Sequence, residues 1–168
     1  MLHLLDANVL ITAHRQYYPL DRVPEFWDWV LHCAEQGDLK IPAEIIEEIC
    51  DGADAVSDWC SDHNNRSRLL LDEQTDGGLV QYVMAHGYAP DLTDEEIEVV
   101  GRDPFLIASA LVAPAARCVV TAEVSKPRRT RSNRHVPDVC SDLGVTWMDS
   151  FGMLRSLNFT TSWRHRSP

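Results

Sequence analysis

The alternation of short apolar runs with segments of helical spacing constrains the fold most strongly. Leu2–Leu5 has the pattern of a buried strand that ends on Asp6, and Asn8–His14 continues directly with helical periodicity. The β-prone runs Cys118–Thr121 and Val145–Met148 are each followed further along by another helical segment. Strands that alternate with helices predict an α/β domain, with a central parallel sheet of four to five strands flanked by helices.

Other periodic segments predict the remaining elements. Leu39–Ile41 is expected to form a very short strand, Arg66–Asp72 a loop or extended piece, and Thr93 with Glu96 matches a capping box. The predicted helices are Pro24–Gln36, Pro42–Cys50, Ala53–His63, Asp72–Ala85, Thr93–Val100, Asp103–Ala113, Val136–Leu143 and Ser150–Leu157. The length of 168 residues suits one domain, placed at residues 1–158, with a polar C-terminal tail at residues 159–168.

The cysteine pattern and the hydropathy of the sequence indicate the cellular compartment in which the protein is expected. The five cysteines form no C-x-x-C pair and are odd in number, so the sequence suggests neither a disulfide framework nor a zinc knuckle. No apolar run approaches the ~18 residues of a membrane span, and Asp6 interrupts the N-terminus where a signal peptide would still be apolar. A cytoplasmic protein without a membrane segment is therefore expected.

The charge is strongly negative overall but unevenly distributed. A net charge of -11 argues against attraction of nucleic acid by the protein as a whole. Five of the 15 basic side chains nevertheless fall within ten residues, in a segment that we call the basic loop. This loop could grip a phosphate backbone, dock an acidic partner, or simply be solvated, and its basic residues are Lys126, Arg128, Arg129, Arg131 and Arg134.

Acidic residues stand at the ends of two predicted strands and at two helices. Asp6 and Glu123 follow strands, where ligands gather in parallel sheets, although either residue alone could be a helix cap or a solvated charge. Glu47 and Glu48 interrupt an apolar helix, and one of the two must point closer to the sheet. Asp103 begins a helix with Pro104 in the first turn, which is compatible with capping as well as with metal binding.

Several converging carboxylates imply a bound cation. Mutual repulsion would otherwise raise their pKa values or push the loops apart. Oxygen ligands without His or Cys favour hard ions such as Mg²⁺ or Mn²⁺. Two such ions ~3.5–4 Å apart can activate water and stabilise a phosphodiester under attack, which makes phosphodiester hydrolysis the expected reaction.

The chain resembles the PIN-domain family from Leu2 to about Leu157. The opening Leu4–Ile11 resembles the first PIN motif, Glu48–Gly52 the second, Asp103 with Leu106–Ala108 the third, and Val120–Glu123 the fourth, where Glu123 stands in place of the commoner Asp. A narrower resemblance, to a bacterial PIN-like branch related to VapC-type toxin ribonucleases, is carried by Tyr17-Tyr18-Pro19, Phe26–Trp29, Asp103–Ala108 and Val136–Cys140.

This resemblance implies a Mg²⁺- or Mn²⁺-dependent endoribonuclease that is the toxin of a type II toxin–antitoxin system. Asp6, Glu48, Asp103 and Glu123 would then be both the catalytic and the metal-binding residues. Asn8 would steady Asp6 or a bound water, and Thr121 and Asp138 are candidate supporting residues. Asp138 is equally explained as a helix N-terminal charge. The implied partners are an RNA substrate, a cognate antitoxin and a second copy of the chain bound through the early helices.

Three alternatives remain open at this stage. The first is a structure-specific DNA nuclease, for which the chain is short. The second is a non-catalytic PIN-fold module that binds RNA or protein. The third, a phosphatase with Asp6 as nucleophile, lacks the second acid of an Asp-x-Asp pattern because Asn8 occupies that position. Trp27, Trp29 and Trp59 have spacings more typical of a core or a dimer contact than of base stacking.

Overall fold

A four-stranded parallel sheet lies at the centre of the protein, in a computed structural model that describes residues 1–165. The strands are β1 (Leu2–Leu5), β2 (Leu39–Lys40), β3 (Arg117–Val120) and β4 (Thr146–Met148), in the order β2-β1-β3-β4. Because Leu4, Leu5, Val119 and Val120 are completely buried, both inner strands are covered on their two faces. The predicted α/β class and parallel sheet are confirmed.

Ten α-helices flank this sheet within the described residues. They are α1 (Ala7–Thr12), α2 (Pro24–Gln36), α3 (Ala43–Cys50), α4 (Ala55–Ser61), α5 (His63–Leu69), α6 (Gly77–Val83), α7 (Asp94–Val100), α8 (Asp103–Leu111), α9 (Val136–Asp142) and α10 (Ser150–Ser156). Ala13–Tyr17 and Met84–Tyr88 extend α1 and α6 as single π-helical segments.

Local signals account for several helix ends. The capping box of α7 forms as expected, because the Thr93 hydroxyl accepts from the Glu96 amide while the Glu96 carboxylate accepts from the Thr93 amide. Gly37 ends α2 with a left-handed φ of 79°, a conformation that costs glycine little.

Two predicted segments differ from the structure. Arg66–Leu69, expected in a loop or extended piece, belongs to α5, which begins after Asp62 because the Asp62 carboxylate accepts from the amides of Asn64 and Asn65. The helix predicted from Asp72 begins only at Gly77, where Asp76 provides the cap. In both places an aspartate cap fixes the helix start, and the apolar spacing alone does not reveal it.

Aromatic side chains of α2 pack against aromatic residues from other parts of the chain. Trp27 and Trp29 are buried, which agrees with their predicted core role, and Trp27 packs edge-on against Trp59. Phe159, at the start of the predicted tail, packs against Phe26 and Trp29. The residues just beyond 158 therefore contribute to the core, while tail residues 166–168 lie outside the described part of the chain.

A helix that spans a membrane must be about 20 residues long and predominantly apolar. No helix within residues 1–165 is both long and apolar enough to cross a membrane.

Candidate active site

The carboxyl ends of β1 and β3 bring two sequence-distant segments together. These strands are parallel neighbours, with Leu5 opposite Val120, and the Asp6 amide donates to the Val120 carbonyl at 2.9 Å. Asp6 and Thr121 consequently leave the sheet side by side. This is the edge at which open parallel sheets gather ligands.

A hydrogen-bond network fixes the Asp6 carboxylate. The Thr121 hydroxyl donates to Asp6 Oδ2 at 2.7 Å, and the Asn8 side-chain amide donates to the same oxygen at 2.5 Å. Asn8 Oδ1 accepts from the Ala122 amide at 2.7 Å, which ties the start of α1 to the end of β3. Asp6 occupies the N-cap position of α1 but makes no side-chain cap bond. Its carboxylate is thus oriented by Asn8 and Thr121 and not used to cap the helix.

The electrostatic surroundings of Asp6 disfavour its ionised form. Burial, together with the negative charges of Glu123 and Glu48, raises the pKa of Asp6 from 3.8 to about 6, against the lowering effects of the Thr121 hydroxyl and the Asn8 backbone amide. Among the described residues, none of the main contributions to this pKa comes from a Lys or an Arg. A buried carboxylate beside like charges is the arrangement that a bound cation would relieve.

Asp103 is the second strongly perturbed carboxyl group. The helix α8 begins at Asp103, with Arg102 at the N-cap position and no side-chain cap, so Asp103 does not take the capping role that the sequence left open for it. The buried Tyr88 hydroxyl donates to Asp103 Oδ2 at 3.3 Å. Burial, followed by the charges of Asp6, Glu123 and Glu48, raises the pKa of Asp103 well above its ordinary value. Asp6 and Asp103 therefore belong to one group of interacting carboxylates.

Glu48 and Glu47 are adjacent on α3, and both are exposed. Of these two residues, Glu48 is the one whose charge raises the pKa values of Asp6 and Asp103, so it is the candidate member of the group from this helix. Although Glu48 is exposed, desolvation by the surrounding protein atoms raises its pKa, and the charge of Arg102 opposes the rise. Arg102 is engaged elsewhere, since it donates to the Glu44 carbonyl at 2.8 Å and to Asp51 at 2.9 Å.

Glu123 completes the group from the loop after β3. Its charge raises the pKa values of both Asp6 and Asp103. One carboxylate oxygen, Oε2, also accepts from the Val136 amide at 2.8 Å and lies 3.8 Å from His135 Nδ1. Glu123 therefore serves the first turn of α9 as well as the carboxylate group.

We call Asp6, Glu48, Asp103 and Glu123 the acidic cluster. They come from the end of β1, from α3, from the start of α8 and from the end of β3. Among residues 1–165, no three His, Cys, Asp or Glu side chains are already arranged as a metal-binding group. The donors of the acidic cluster are nonetheless all carboxylate oxygens, the ligand type that hard divalent cations prefer.

Both carboxylate oxygens of Asp138 accept hydrogen bonds from the start of the basic loop. Its two oxygens accept from the Ser125 hydroxyl at 2.6 Å and from the Lys126 amide at 2.7 Å. The buried Asp138 side chain therefore anchors the start of the basic loop to α9. Its contribution to the candidate site is to hold that loop in place.

Two cations of the basic loop form ion pairs with the rest of the protein, and the other three are exposed. Arg131 pairs with Asp91 and Glu96, and Arg134 pairs with Asp142 and donates to the Gly87 carbonyl at 2.6 Å. These two arginines hold the loop onto α7 and α9. Lys126, Arg128 and Arg129 are exposed, and within the described chain their side chains make none of these ion pairs.

Sequence reasoning did not identify Tyr88 or Arg102 as part of the site. The position of Tyr88 depends on Gly87, where an added Cβ would lie 2.6 Å from Val139 Cγ1, so only glycine lets this segment approach α9 so closely. Arg102 directly precedes Asp103, and that adjacency was a usable signal for a cation near the acidic cluster.

Comparisons with known proteins place the chain in a family. A protein-family model described as "Domain of unknown function (DUF4411)" matches residues 3–161. Searches of curated proteins and of solved structures gave no match to the chain. The matched region contains all four members of the acidic cluster together with the basic loop. Because the match covers nearly the whole sequence, this protein belongs to the DUF4411 family.

Proposed function

We propose that this protein is a PIN-like, Mg²⁺- or Mn²⁺-dependent endoribonuclease, a hydrolase that acts on phosphodiester bonds. The observation that carries the proposal is the position of Asp6, which is buried at the carboxyl end of β1, is fixed by Asn8 and Thr121, and has its pKa raised by burial and by the charges of Glu123 and Glu48. Four carboxylates from separate elements couple at the ligand-binding edge of a parallel sheet. The order of the four motifs that resemble PIN domains supports the same assignment.

The acidic cluster has the donor chemistry that a hard divalent cation requires. Asp6, Glu48, Asp103 and Glu123 would hold the ion. When bound, it would supply positive charge that stabilises the phosphodiester under attack. Repulsion among the cluster carboxylates favours occupancy, because a cation offsets the charges that raise the pKa values of Asp6 and Asp103.

The protein's own residues orient and protect this site. Thr121 and Asn8 hold Asp6 Oδ2 in place, and complete burial of Thr121 keeps water away from that bond. Tyr88 holds one oxygen of Asp103 in the same manner.

The test is cleavage of a mixed pool of structured RNAs and single-stranded DNA by the purified protein, with Mn²⁺ or with EDTA. We expect RNA cleavage that EDTA abolishes, that Asp103→Asn reduces strongly, and that Glu47→Gln leaves unchanged because Glu47 lies outside the cluster. Cleavage of DNA alone would identify a DNA nuclease instead. Absence of metal-dependent cleavage, with metal binding demonstrated, would leave a non-catalytic module.

The assignment as toxin of a type II toxin–antitoxin pair, with a cognate antitoxin and a homodimer, rests on the resemblance to VapC-type proteins. Induced expression in a bacterial host tests it, since the wild-type protein should arrest growth and Asp103→Asn should not. Equal growth with both proteins would contradict the toxin assignment. Mass measurement in solution that gives only monomer would contradict the homodimer.

A further inference from the structure

Two members of the acidic cluster, Glu48 and Asp103, come from helices that one arginine joins. Arg102 directly precedes Asp103 and occupies the N-cap position of α8, but its side chain is not used to cap that helix. The guanidinium contacts α3 instead, where Nη1 donates to the Glu44 carbonyl at 2.8 Å and Nη2 donates to Asp51 Oδ2 at 2.9 Å. We call these two hydrogen bonds the Arg102 brace.

The two contacts of the brace lie on either side of Glu48. Residues 44, 48 and 51 are spaced four and three positions apart, so they share one face of α3. In an α-helix the carbonyl of residue 44 also faces the amide of residue 48. Arg102 therefore holds α3 at the turn that carries Glu48. Desolvation raises the pKa of Glu48 and the charge of Arg102 opposes this rise, which agrees with a cation close to that carboxylate.

The Glu48 carboxylate itself does not take part in the brace. Among the hydrogen bonds and ion pairs of residues 1–165, none joins Arg102 to Glu48, and the Glu48 side chain is exposed. An ion pair with Arg102 would compete with a metal ion for that carboxylate. Bonds to a backbone carbonyl and to Asp51 fix the helix and leave the Glu48 oxygens accessible.

We infer that Arg102 is a positioning residue that fixes Glu48 relative to Asp103 and thereby completes the cation site of the acidic cluster. One peptide unit joins Arg102 to Asp103, and two hydrogen bonds join it to the turn of Glu48. Residues that hold metal ligands in place typically change metal affinity by about 10- to 100-fold when they are replaced. This inference deepens the proposed function and rests on it, since that function supplies the cation.

The direction of the change in Mn²⁺ affinity separates this role from a simple charge effect. A cation beside the cluster repels a divalent ion, so the loss of charge alone would tighten Mn²⁺ binding in Arg102→Ala. Loss of the brace should instead weaken Mn²⁺ binding by about tenfold. Arg102→Lys keeps the charge but lacks the planar fork that spans two acceptors, so it should also bind Mn²⁺ less tightly than the wild type.

Asp51 tests the brace from its exposed end. Asp51→Ala and Asp51→Asn both remove the charge, but only asparagine keeps an oxygen that can accept from Arg102 Nη2. Asp51→Ala should therefore bind Mn²⁺ about 2- to 10-fold more weakly than Asp51→Asn, the equivalent of one hydrogen bond. In an Arg102→Ala background the two Asp51 variants should bind Mn²⁺ equally, because no brace remains for them to alter.

The experiment is calorimetric titration of Mn²⁺ into the purified wild type and each variant, with thermal unfolding in EDTA to show that each protein is folded. The matched control is Arg68→Ala. Arg68 pairs with Glu35 at 2.9 Å, the same distance as in the pair of Arg102 with Asp51, and both arginine side chains are 33% exposed. Arg68 lies on α5 and not on α3 or α8, so its removal should leave the Mn²⁺ affinity unchanged.

Unchanged or tighter Mn²⁺ binding by Arg102→Ala would overturn the inference, as would an equal loss of affinity in Arg68→Ala. If Arg102→Ala does not fold, the Asp51 variants decide, and equal affinities of Asp51→Ala and Asp51→Asn would overturn it. No Mn²⁺ binding by the wild type would overturn the inference together with the metal site. Because the titration contains no RNA, weaker binding by Arg102→Ala without any RNA cleavage by the wild type would refute the nuclease proposal alone.

Discussion

Replacement of Asp6 by asparagine is expected to stabilise the metal-free protein at neutral pH. Thr121 and Asn8 both donate to the same oxygen, Asp6 Oδ2, and an asparagine carbonyl can accept both bonds in its place. The asparagine side chain is neutral, so the substitution removes the negative charge of Asp6, which Glu123 and Glu48 repel. The change thus keeps the local geometry and relieves the repulsion.

The size of the effect follows from the pKa of Asp6. A rise from 3.8 to about 6 corresponds to about 3 kcal/mol of ionisation penalty in the folded state. Since asparagine is not a perfect copy of a protonated carboxyl group, we expect a gain of roughly 2 kcal/mol. For a chain of this length that gain raises Tm by about 4–8 °C.

The pH dependence has a definite sign. A raised folded-state pKa means that the wild-type penalty is absent below the ordinary aspartate pKa of 3.8, grows as pH rises toward about 6, and is complete above it. The advantage of Asp6→Asn over the wild type should therefore be near zero at about pH 4 and full at about pH 8. With divalent cations present, the wild type should be more stable than Asp6→Asn, because the cations stabilise the wild type and not the variant.

Thermal unfolding followed by circular dichroism, with EDTA or with Mn²⁺, measures all these quantities. Asp6→Leu is the contrasting variant, because it also removes the charge but leaves the Thr121 hydroxyl and the Asn8 amide without their acceptor. The reasoning is refuted if Asp6→Asn is less stable than the wild type at about pH 8 in EDTA, or if its advantage does not depend on pH.

Two further substitutions test the supporting contacts. Thr121→Val should destabilise the protein by about 1–3 kcal/mol and weaken Mn²⁺ binding, because it removes a buried donor from Asp6. Thr121→Ser should keep both the stability and the Mn²⁺ affinity, which urea denaturation and calorimetric titration measure. An unchanged stability of Thr121→Val would contradict the role of this bond. Glu123→Ala should be less stable than Glu123→Gln by about 1 kcal/mol, because both variants remove the charge that repels Asp6 but only glutamine keeps an acceptor for the Val136 amide. Equal urea midpoints for the two variants would contradict the capping role.

The sequence was sufficient to predict the sheet and the position of Asp6. Continuous apolar runs such as Leu2–Leu5 indicate strands that are buried on both faces, and the residue after such a run must lie at the carboxyl edge. Spacing could also predict α8, because Pro104 favours the first turn of a helix. These features depend on local periodicity, which the sequence records directly.

Features that depend on tertiary contacts could not be predicted in the same way. Helix α5 consists of mostly polar residues and lacks an apolar stripe, so its existence depends on the Asp62 cap and on Leu69, which is buried in the core. Helical spacing alone did not distinguish Glu47 from Glu48, and the resemblance was what singled out Glu48. The pairing of Arg131 with Glu96 joins residues 35 positions apart, and composition alone made all five basic-loop residues look equally available.

A calorimetric titration of Mn²⁺ into the purified protein tests the central claim most directly, because the account requires four separate elements to supply one cation site. The wild type and Glu47→Gln should bind with the same Kd. Asp103→Asn and Glu48→Gln should each weaken binding by about tenfold or more, since each removes one negative ligand. Equal affinity in all four proteins, or no binding by the wild type, would contradict the account.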